Sequence, residues 1–307
     1  MRHYVVTGGL GFIGSHLSEL LLDAGHRVTI IDDRRTSVVD RIQGATIIED
    51  DVVWADWPSD IDGIFHLAGP VGPVGVIEWS GKIVSQVVQA AERTATEARM
   101  NDCPLVYVST SEVYGEQRQP VNEWAPRIIS AGATARMEYA VAKLATETML
   151  LNDLFLDVRI IRPFNVAGPR QSERGGFVLP RFVRQAKSGQ AMTVYRPGTQ
   201  RRAFTHVIEI ASGIYEAMRR GRTKAVYNLG NPANEMTILD LALRVRNALG
   251  SDSDIEIIDP VSLHGNSFAE APDKIPDIGL AQADLGFYPV MGVDAVIADL
   301  IAHEAGR

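Results

Sequence analysis

Val5-Val6-Thr7-Gly8-Gly9-Leu10-Gly11-Phe12-Ile13-Gly14 stands near the start of the chain. An apolar strand runs into a glycine turn, and the amphipathic run Phe12–Leu22 follows with helical spacing. Gly8, Gly11 and Gly14 keep a T-G-x-x-G-x-x-G rhythm. One glycine lets the strand turn sharply, the next lets backbone approach a pyrophosphate, and the third lets the helix pack close to the sheet. The helix start, at Phe12 and Ile13, offers unpaired N–H groups and partial positive charge to phosphate. The next strand, Val28–Ile31, ends on Asp32. A carboxylate there accepts hydrogen bonds from the ribose hydroxyls of NAD and repels the 2′-phosphate of NADP. The expected cofactor is therefore NAD. Arg34 and Arg35 argue the other way, since either could pair with a 2′-phosphate.

The chain has 307 residues, 46% of them hydrophobic, enough for one large domain or two smaller ones. A formal net charge of -8 speaks against a protein that coats nucleic acid, while local arginines still permit an anionic substrate. Cys103 is the single cysteine, so no internal disulfide can form. No apolar segment precedes the first strand, and no run approaches the roughly 18 residues of a membrane span. The expectation is a cytoplasmic protein with no metal site and no membrane or nucleic-acid partner.

Outward from the glycine turn, strand and helix patterns alternate, which implies a parallel sheet covered on both faces. Strands are expected at Tyr4–Thr7, Val28–Ile31, Thr46–Ile48, Gly63–Leu67, Leu105–Ser109 and Val158–Ile161. Helices are expected at Phe12–Ala24, Ile83–Arg99 and Glu138–Leu151, with Gly25 as the residue that ends the first. Thr237 reads as the N-cap of Ile238–Leu249, and Val293–His303 as a last amphipathic helix. The fold class is α/β: a doubly wound parallel sheet (Rossmann) over residues 1–166. A smaller, mixed substrate-binding domain follows over 167–307, with segments crossing back to the sheet.

Ser109-Thr110-Ser111-Glu112 follows a core strand, at the carboxyl edge where open α/β sheets bind ligands. Tyr139 and Lys143 lie four residues apart on one helix face. A lysine ammonium beside a phenol favours phenolate. Such a tyrosine can remove a hydroxyl proton while the carbon beneath gives hydride to NAD. Thr110 can hydrogen-bond the same hydroxyl. Arg170, Arg201 and Arg202 lie in loop-like segments, where guanidinium forks suit diphosphate oxygens. Tyr195 is a candidate for the nucleotide base and equally a core residue.

With these residues in view, the chain resembles the extended short-chain dehydrogenase/reductases, in particular the NAD-dependent nucleotide-sugar epimerase/dehydratase group. Gly8, Gly11, Gly14 and Asp32 match its cofactor loop and ribose contact. Asp51-Val52 resembles its adenine-pocket pair, and His66-Leu67-Ala68-Gly69 its H-L-A-A segment beside the cofactor. Thr110, Tyr139 and Lys143 match its catalytic triad. Arg162–Arg170 resembles its R-x-x-N-x-x-G-P stretch, whose asparagine, here Asn165, contacts the sugar diphosphate. Arg201–Val207 resembles its R-x-F-x-x-V segment, whose arginine pairs with phosphate. Asn228-Leu229-Gly230 matches its N-x-G turn. The resemblance implies an NAD enzyme acting on a nucleotide sugar. It also implies a homodimer paired through the helices at Ile83–Arg99 and Glu138–Leu151, where Ile83, Val84, Val87 and Val88 form a stripe.

Glu112 bears on the reaction. Oxidation at sugar C4 acidifies the C5 hydrogen, and a carboxylate nearby can move that proton. The resembling dehydratases and decarboxylases carry a glutamate here, whereas 4-epimerases need no such base. Arg136, before Tyr139, resembles the decarboxylases and some epimerases. The decarboxylases carry an arginine before a late P-[DS]-I motif, and here Lys274 takes that place in Asp273–Ile278. A lysine cannot make the planar fork. The leading expectation is a UDP-sugar epimerase working through transient C4 oxidation. The alternatives are a 4,6-dehydratase or UDP-glucuronate decarboxylase-like lyase, a net dehydrogenase, and, most remotely, a non-catalytic dinucleotide sensor.

Overall fold

A computed structural model describes residues 1–130, 132–265, 268 and 270–305, with the backbone alone at 174. Along the chain run β1 (His3–Thr7), α1 (Phe12–Asp23), β2 (Arg27–Asp32), β3 (Thr46–Glu49), β4 (Gly63–His66), α2 (Ile83–Met100), β5 (Leu105–Val108), α3 (Ala135–Asn152) and β6 (Val158–Pro163). The second half adds β7 (Val166–Ala167), α4 (Val178–Lys187), β8 (Met192–Tyr195), β9 (Arg201–Ala203), β10 (Thr205–His206), α5 (Val207–Arg220) and β11 (Val226–Leu229). It closes with β12 (Glu235–Thr237), α6 (Ile238–Leu249), β13 (Ile255–Ile258), α7 (Val261–His264), α8 (Gly279–Leu285) and α9 (Val293–Ala305).

Seven parallel strands form the central sheet in the order β11-β6-β5-β4-β1-β2-β3. The winding reverses between β1 and β4, and the carboxyl ends of these strands open the crevice in which such sheets bind ligands. Apart from the edge strand β3, which is only partly buried, the strands are short, mostly buried apolar runs, as parallel sheets covered on both faces require. One face packs Leu17 and Leu21 of α1 with Ile210 and Ile214 of α5 and Leu285 of α8. The other packs Ala91 and Ala95 of α2 with Leu150 of α3. A separate apolar core joins α4, α6 and α9 to β8 through Phe182, Leu241, Val245, Ile297 and Val194.

The seventh strand, β11, departs from the expectation of six. It comes from the second half and pairs with β6, so the edge of the nucleotide sheet is built from the C-terminal part of the chain. Helix α3 starts at Ala135 rather than Glu138, because the Thr134 hydroxyl accepts from the Met137 N–H and nucleates the turn earlier. Strand β5 stops at Val108 and β4 at His66, one residue short of expectation, leaving Ser109 and Leu67 on the crevice edge. The Thr237 cap is a full capping box with Asp240, and Gly25 has φ +79° as the residue that ends α1. In the Ile83–Val88 stripe, Ile83 and Val87 are buried, Val88 is half-buried and Val84 is exposed.

Candidate active site

A cleft of about 1560 Å³ opens at the switch point and extends into the second half of the chain. It exceeds the roughly 300–1,000 Å³ of a single drug-sized pocket. Apart from Arg201, the residues expected to serve cofactor binding, diphosphate binding or catalysis line it.

The cofactor end fits NAD. Gly8 has φ +69°, and a Cβ there would come within 2.8 Å of the Ala68 backbone nitrogen. A Cβ on Gly14 would sit 2.1 Å from the Gly8 carbonyl oxygen, so α1 packs directly on the turn. No side chain caps α1 at Gly11, which leaves its first N–H groups to a phosphate. Asp32 is buried at the end of β2. Its Oδ2 accepts from the Leu10 N–H at 2.9 Å, and its Oδ1 accepts from the Arg34 N–H at 2.9 Å and the Ser37 hydroxyl at 2.8 Å. The arginines that argue for NADP are occupied: Arg34 donates to Glu49 at 2.5 Å, and Arg35 pairs with Asp33 at 3.2 Å and Asp51 at 3.5 Å. Val52, beside Asp51, is buried. Leu67, Ala68 and Gly69 also line the cleft, with Ala68 packed against the Gly8 turn.

Asp32→Ala should weaken NAD binding by roughly 10- to 100-fold, the scale of losing hydrogen bonds to a charged group. It should also erase most of the preference over NADP. Calorimetry with both dinucleotides checks this, and tighter NADP binding by the native protein would contradict it.

At the carboxyl end of β5, Thr110 caps a short turn, accepting from the Glu112 N–H at 3.2 Å. Thr110 also hydrogen-bonds Tyr139. Lys143 is buried, donates to the Val108 carbonyl at 2.9 Å, and lies 6.0 Å from the Tyr139 ring centroid. The expected lowering of the phenol by this lysine is not the net effect in the protein alone. Burial and the charge of Glu112 push Tyr139 up, while the Thr110 bond pulls it down. Burial also pushes Lys143 down to about 8, against the pull of Glu147. Desolvation outweighs the pairing here because the ammonium is directed at a carbonyl rather than at the phenol oxygen.

Ser109 borders the cleft and donates its hydroxyl to Glu147. Glu147 in turn holds Arg162, which is fully buried and reaches the Tyr114 hydroxyl at 2.8 Å. Tyr114 donates to Asn228 of β11 at 2.6 Å. Tyr139, Lys143 and Glu147 thus form an i, i+4, i+8 face on α3 that runs from the cleft to the sheet. Glu147 is absent from the residues expected at the site, although its spacing from Lys143 is visible in the sequence.

Glu112 sits between two cations. Arg136 donates to both its oxygens, Nε to Oε2 at 2.8 Å and Nη2 to Oε1 at 2.6 Å. Lys274 also donates to Oε1. Burial opposes ionisation of Glu112, but Arg136 and Lys274 together win and hold the carboxyl well below the usual range. Asn165, at φ +39°, turns its amide onto the Ala203 and Lys274 carbonyls at 3.3 and 3.1 Å, and so fixes the loop that carries Lys274. Ser111 is buried beside Glu112.

The far end of the cleft is basic and aromatic. Arg202 is buried, donates to the Ala271 carbonyl at 2.7 Å and pairs with Glu270 at 3.1 Å, whereas Arg201 is exposed and pairs with Glu235. Tyr195 stacks under Arg181, 3.9 Å from guanidinium to ring centroid, and its hydroxyl meets His264 Nε2 at 2.7 Å. Arg170 is drawn to Glu19 of α1 at 2.7 Å, toward the cofactor end. Arg181 and Glu270 carry no local signal in the sequence, since only tertiary packing brings them to the cleft.

A doubly wound sheet with a glycine cradle and a Tyr-x-x-x-Lys pair at its switch point defines a dinucleotide enzyme of the short-chain dehydrogenase/reductase type. The family model described as NAD dependent epimerase/dehydratase family matches residues 4–230, and the chain belongs to that family. Its cofactor is NAD. The chain is 30% identical over 300 residues to a UDP-N-acetyl-alpha-D-glucosaminuronate decarboxylase of Bacillus cytotoxicus, covering 94% of this chain and 93% of that one. It is 32% identical over 309 residues to UDP-glucuronic acid decarboxylase 1 of Danio rerio, covering 95% and 70%. A solved structure of UDP-N-acetylglucosamine 4-epimerase from Methanobrevibacter ruminantium M1, in complex with UDP-N-acetylmuramic acid, superposes with a TM-score of 0.87 at 27% identity, covering 99% and 98%.

Proposed function

We propose that this enzyme oxidises a UDP-linked hexuronic acid transiently at C4 and releases the C5 carboxylate as CO₂. The observation that carries the reading is the clamp on Glu112. Held ionised between Arg136 and Lys274, Glu112 is a weak base and has no proton to give. A 4,6-dehydration needs a base to take the C5 hydrogen, so the clamp speaks against it. Cleavage of a carboxylate next to a new ketone needs no base. The named activities of the two curated relatives support the same outcome. A second reading, C4 epimerisation, is favoured by the fold-wide likeness to a UDP-N-acetylglucosamine 4-epimerase.

The chain's own residues perform the proton work. Tyr139, in its phenolate form, takes the proton of the C4 hydroxyl, and Thr110 orients that hydroxyl from the side. NAD, held by the glycine turn and Asp32, would supply the hydride acceptor and donor, and its positive ring would add charge that favours phenolate at Tyr139. Lys143 stays buried beneath this pair on the Val108 carbonyl. Arg202 and Arg181 present guanidinium groups to the diphosphate end, and Tyr195 presents an aromatic face beside them. Gly8, Gly11, Phe12, Ile13, Gly14 and Asp32 hold the cofactor.

Mass spectrometry on a panel of UDP-hexoses and UDP-hexuronic acids tests the reading. The expected product is a UDP-pentose lighter than its uronate substrate by one CO₂. A product of unchanged mass with inverted C4 selects the epimerase reading. Conversion of neutral hexoses alone contradicts the uronate assignment.

A further inference from the structure

A buried ammonium stays charged only where something replaces the water it has lost. Lys143 has three N–H groups to satisfy and is 4% exposed. Among the described residues it donates one hydrogen bond, to the neutral Val108 carbonyl at 2.9 Å. Glu147, one turn further along α3, pulls in favour of the charge. That carboxylate is already shared between the Arg162 guanidinium and the Ser109 hydroxyl.

A third group completes the surroundings. Tyr107, the residue before Val108 on β5, is fully buried and lays its ring against Lys143, with the ammonium nitrogen 4.7 Å from the ring centroid. The Tyr139 ring is further away, at 6.0 Å. The face of an aromatic ring is the negative end of its quadrupole, and it attracts a cation most strongly where water is excluded. His66, the register neighbour of Tyr107 on β4, lies 5.6 Å from that ring and within 16° of parallel to it. Burial and the charge of Lys143 push His66 down to about 3, so it is neutral and brings no second cation to the ring.

We propose that Tyr107 is a positioning residue for proton transfer: the face of its ring holds Lys143 as an ammonium next to Tyr139. This role is the same whichever reaction follows oxidation at C4. A ring face favours the charged lysine, so weakening it makes Lys143 lose its proton at lower pH. The Tyr139 phenolate then loses its neighbouring cation at that pH, and turnover falls with it. Burial already draws Lys143 down to about 8, so native kcat should fall as pH rises through about 8.

Fluorine withdraws charge from a ring face with little change of shape, so the test leaves the core packed. The full-length protein with NAD carries lysine labelled with carbon-13 at Cε, and Lys143→Arg identifies the resonance to follow. Tyr107→Phe should titrate with the native protein. Difluorinated and then trifluorinated phenylalanine at position 107 should lower the Lys143 value stepwise, by roughly 0.5 to 1.5 pH units in all, the scale of a desolvated cation–π contact. With a UDP-sugar that the wild type converts, the alkaline fall of kcat should move by the same amount at unchanged KM. A Lys143 value that ignores fluorination overturns the proposal. So does an alkaline limb that stays in place while the Lys143 value falls, since the charge is then not used. A Tyr107→Phe variant that shifts as far as the trifluorinated ring assigns the effect to the hydroxyl and overturns it as well.

Discussion

Tyr139→Phe should fold, bind NAD with native affinity and lose turnover by roughly 10²-fold or more, the scale of removing a general base. The phenol oxygen is the atom that hydrogen-bonds Thr110, and it belongs to a half-buried side chain. Replacing the hydroxyl with hydrogen removes little packing volume. The ring keeps its place beside the Ile83, Val87 and Ala142 cluster. Lys143 keeps its bond to the Val108 carbonyl, because that bond does not involve the phenol. The loss should therefore appear in kcat with little change in KM, the pattern of an interaction used in the transition state. Near-native turnover by this variant would remove Tyr139 from the chemistry. A loss accompanied by failure to bind NAD would mean that the ring, rather than its hydroxyl, is what matters.

The second large effect lies below the site. Arg162 is 0% exposed and its counter-charge Glu147 is 1% exposed. Glu147 accepts from Arg162 through both oxygens and also from the Ser109 hydroxyl. Removing one partner leaves an uncompensated buried charge, which costs about 3–5 kcal/mol. Glu147→Gln should therefore lower stability by about that amount, read as a drop in the urea midpoint with an unchanged slope. Glu147→Leu combined with Arg162→Met should recover part of the loss, since replacing a whole buried pair with apolar groups is often near neutral. Recovery should not extend to full activity, because Ser109 loses its acceptor next to Thr110. A single variant as stable as the native protein would show that the pair is not what locks β5, α3, β6 and β11 together.

Six strands of the sheet are legible in the sequence as apolar runs bounded by turn residues, and the glycine turn shows which of them meets the cofactor. The seventh, Val226-Tyr227-Asn228-Leu229, is hidden because a buried asparagine interrupts a four-residue run. Asn228 is tolerated there only because the Tyr114 hydroxyl, the Val121 carbonyl and Glu123 satisfy it from distant segments. The pair of β8 and β13 is equally hard to read, since it joins four-residue strands about sixty positions apart. Within the site, Thr110, Tyr139 and Lys143 are legible because local spacing places them on one strand end and one helix face. The pairing of Lys274 with Glu112 spans 162 positions, and no local pattern encodes it. Arg34 and Arg35 are ambiguous in the sequence for the same reason: only the fold shows that Glu49, Asp33 and Asp51 take up their charge.

Transient oxidation at C4 is the claim on which the rest of the mechanism depends. UDP-glucuronic acid carrying deuterium at C4 tests it most directly, with the product read by mass spectrometry and NMR. The account predicts a UDP-pentose that retains the deuterium at C4, together with a slowed turnover, because the hydride leaves C4 and returns to it inside one enzyme molecule. Deuterium lost to free reduced cofactor in solution, or retained at C4 with no effect on the rate of any step including the first, would contradict it.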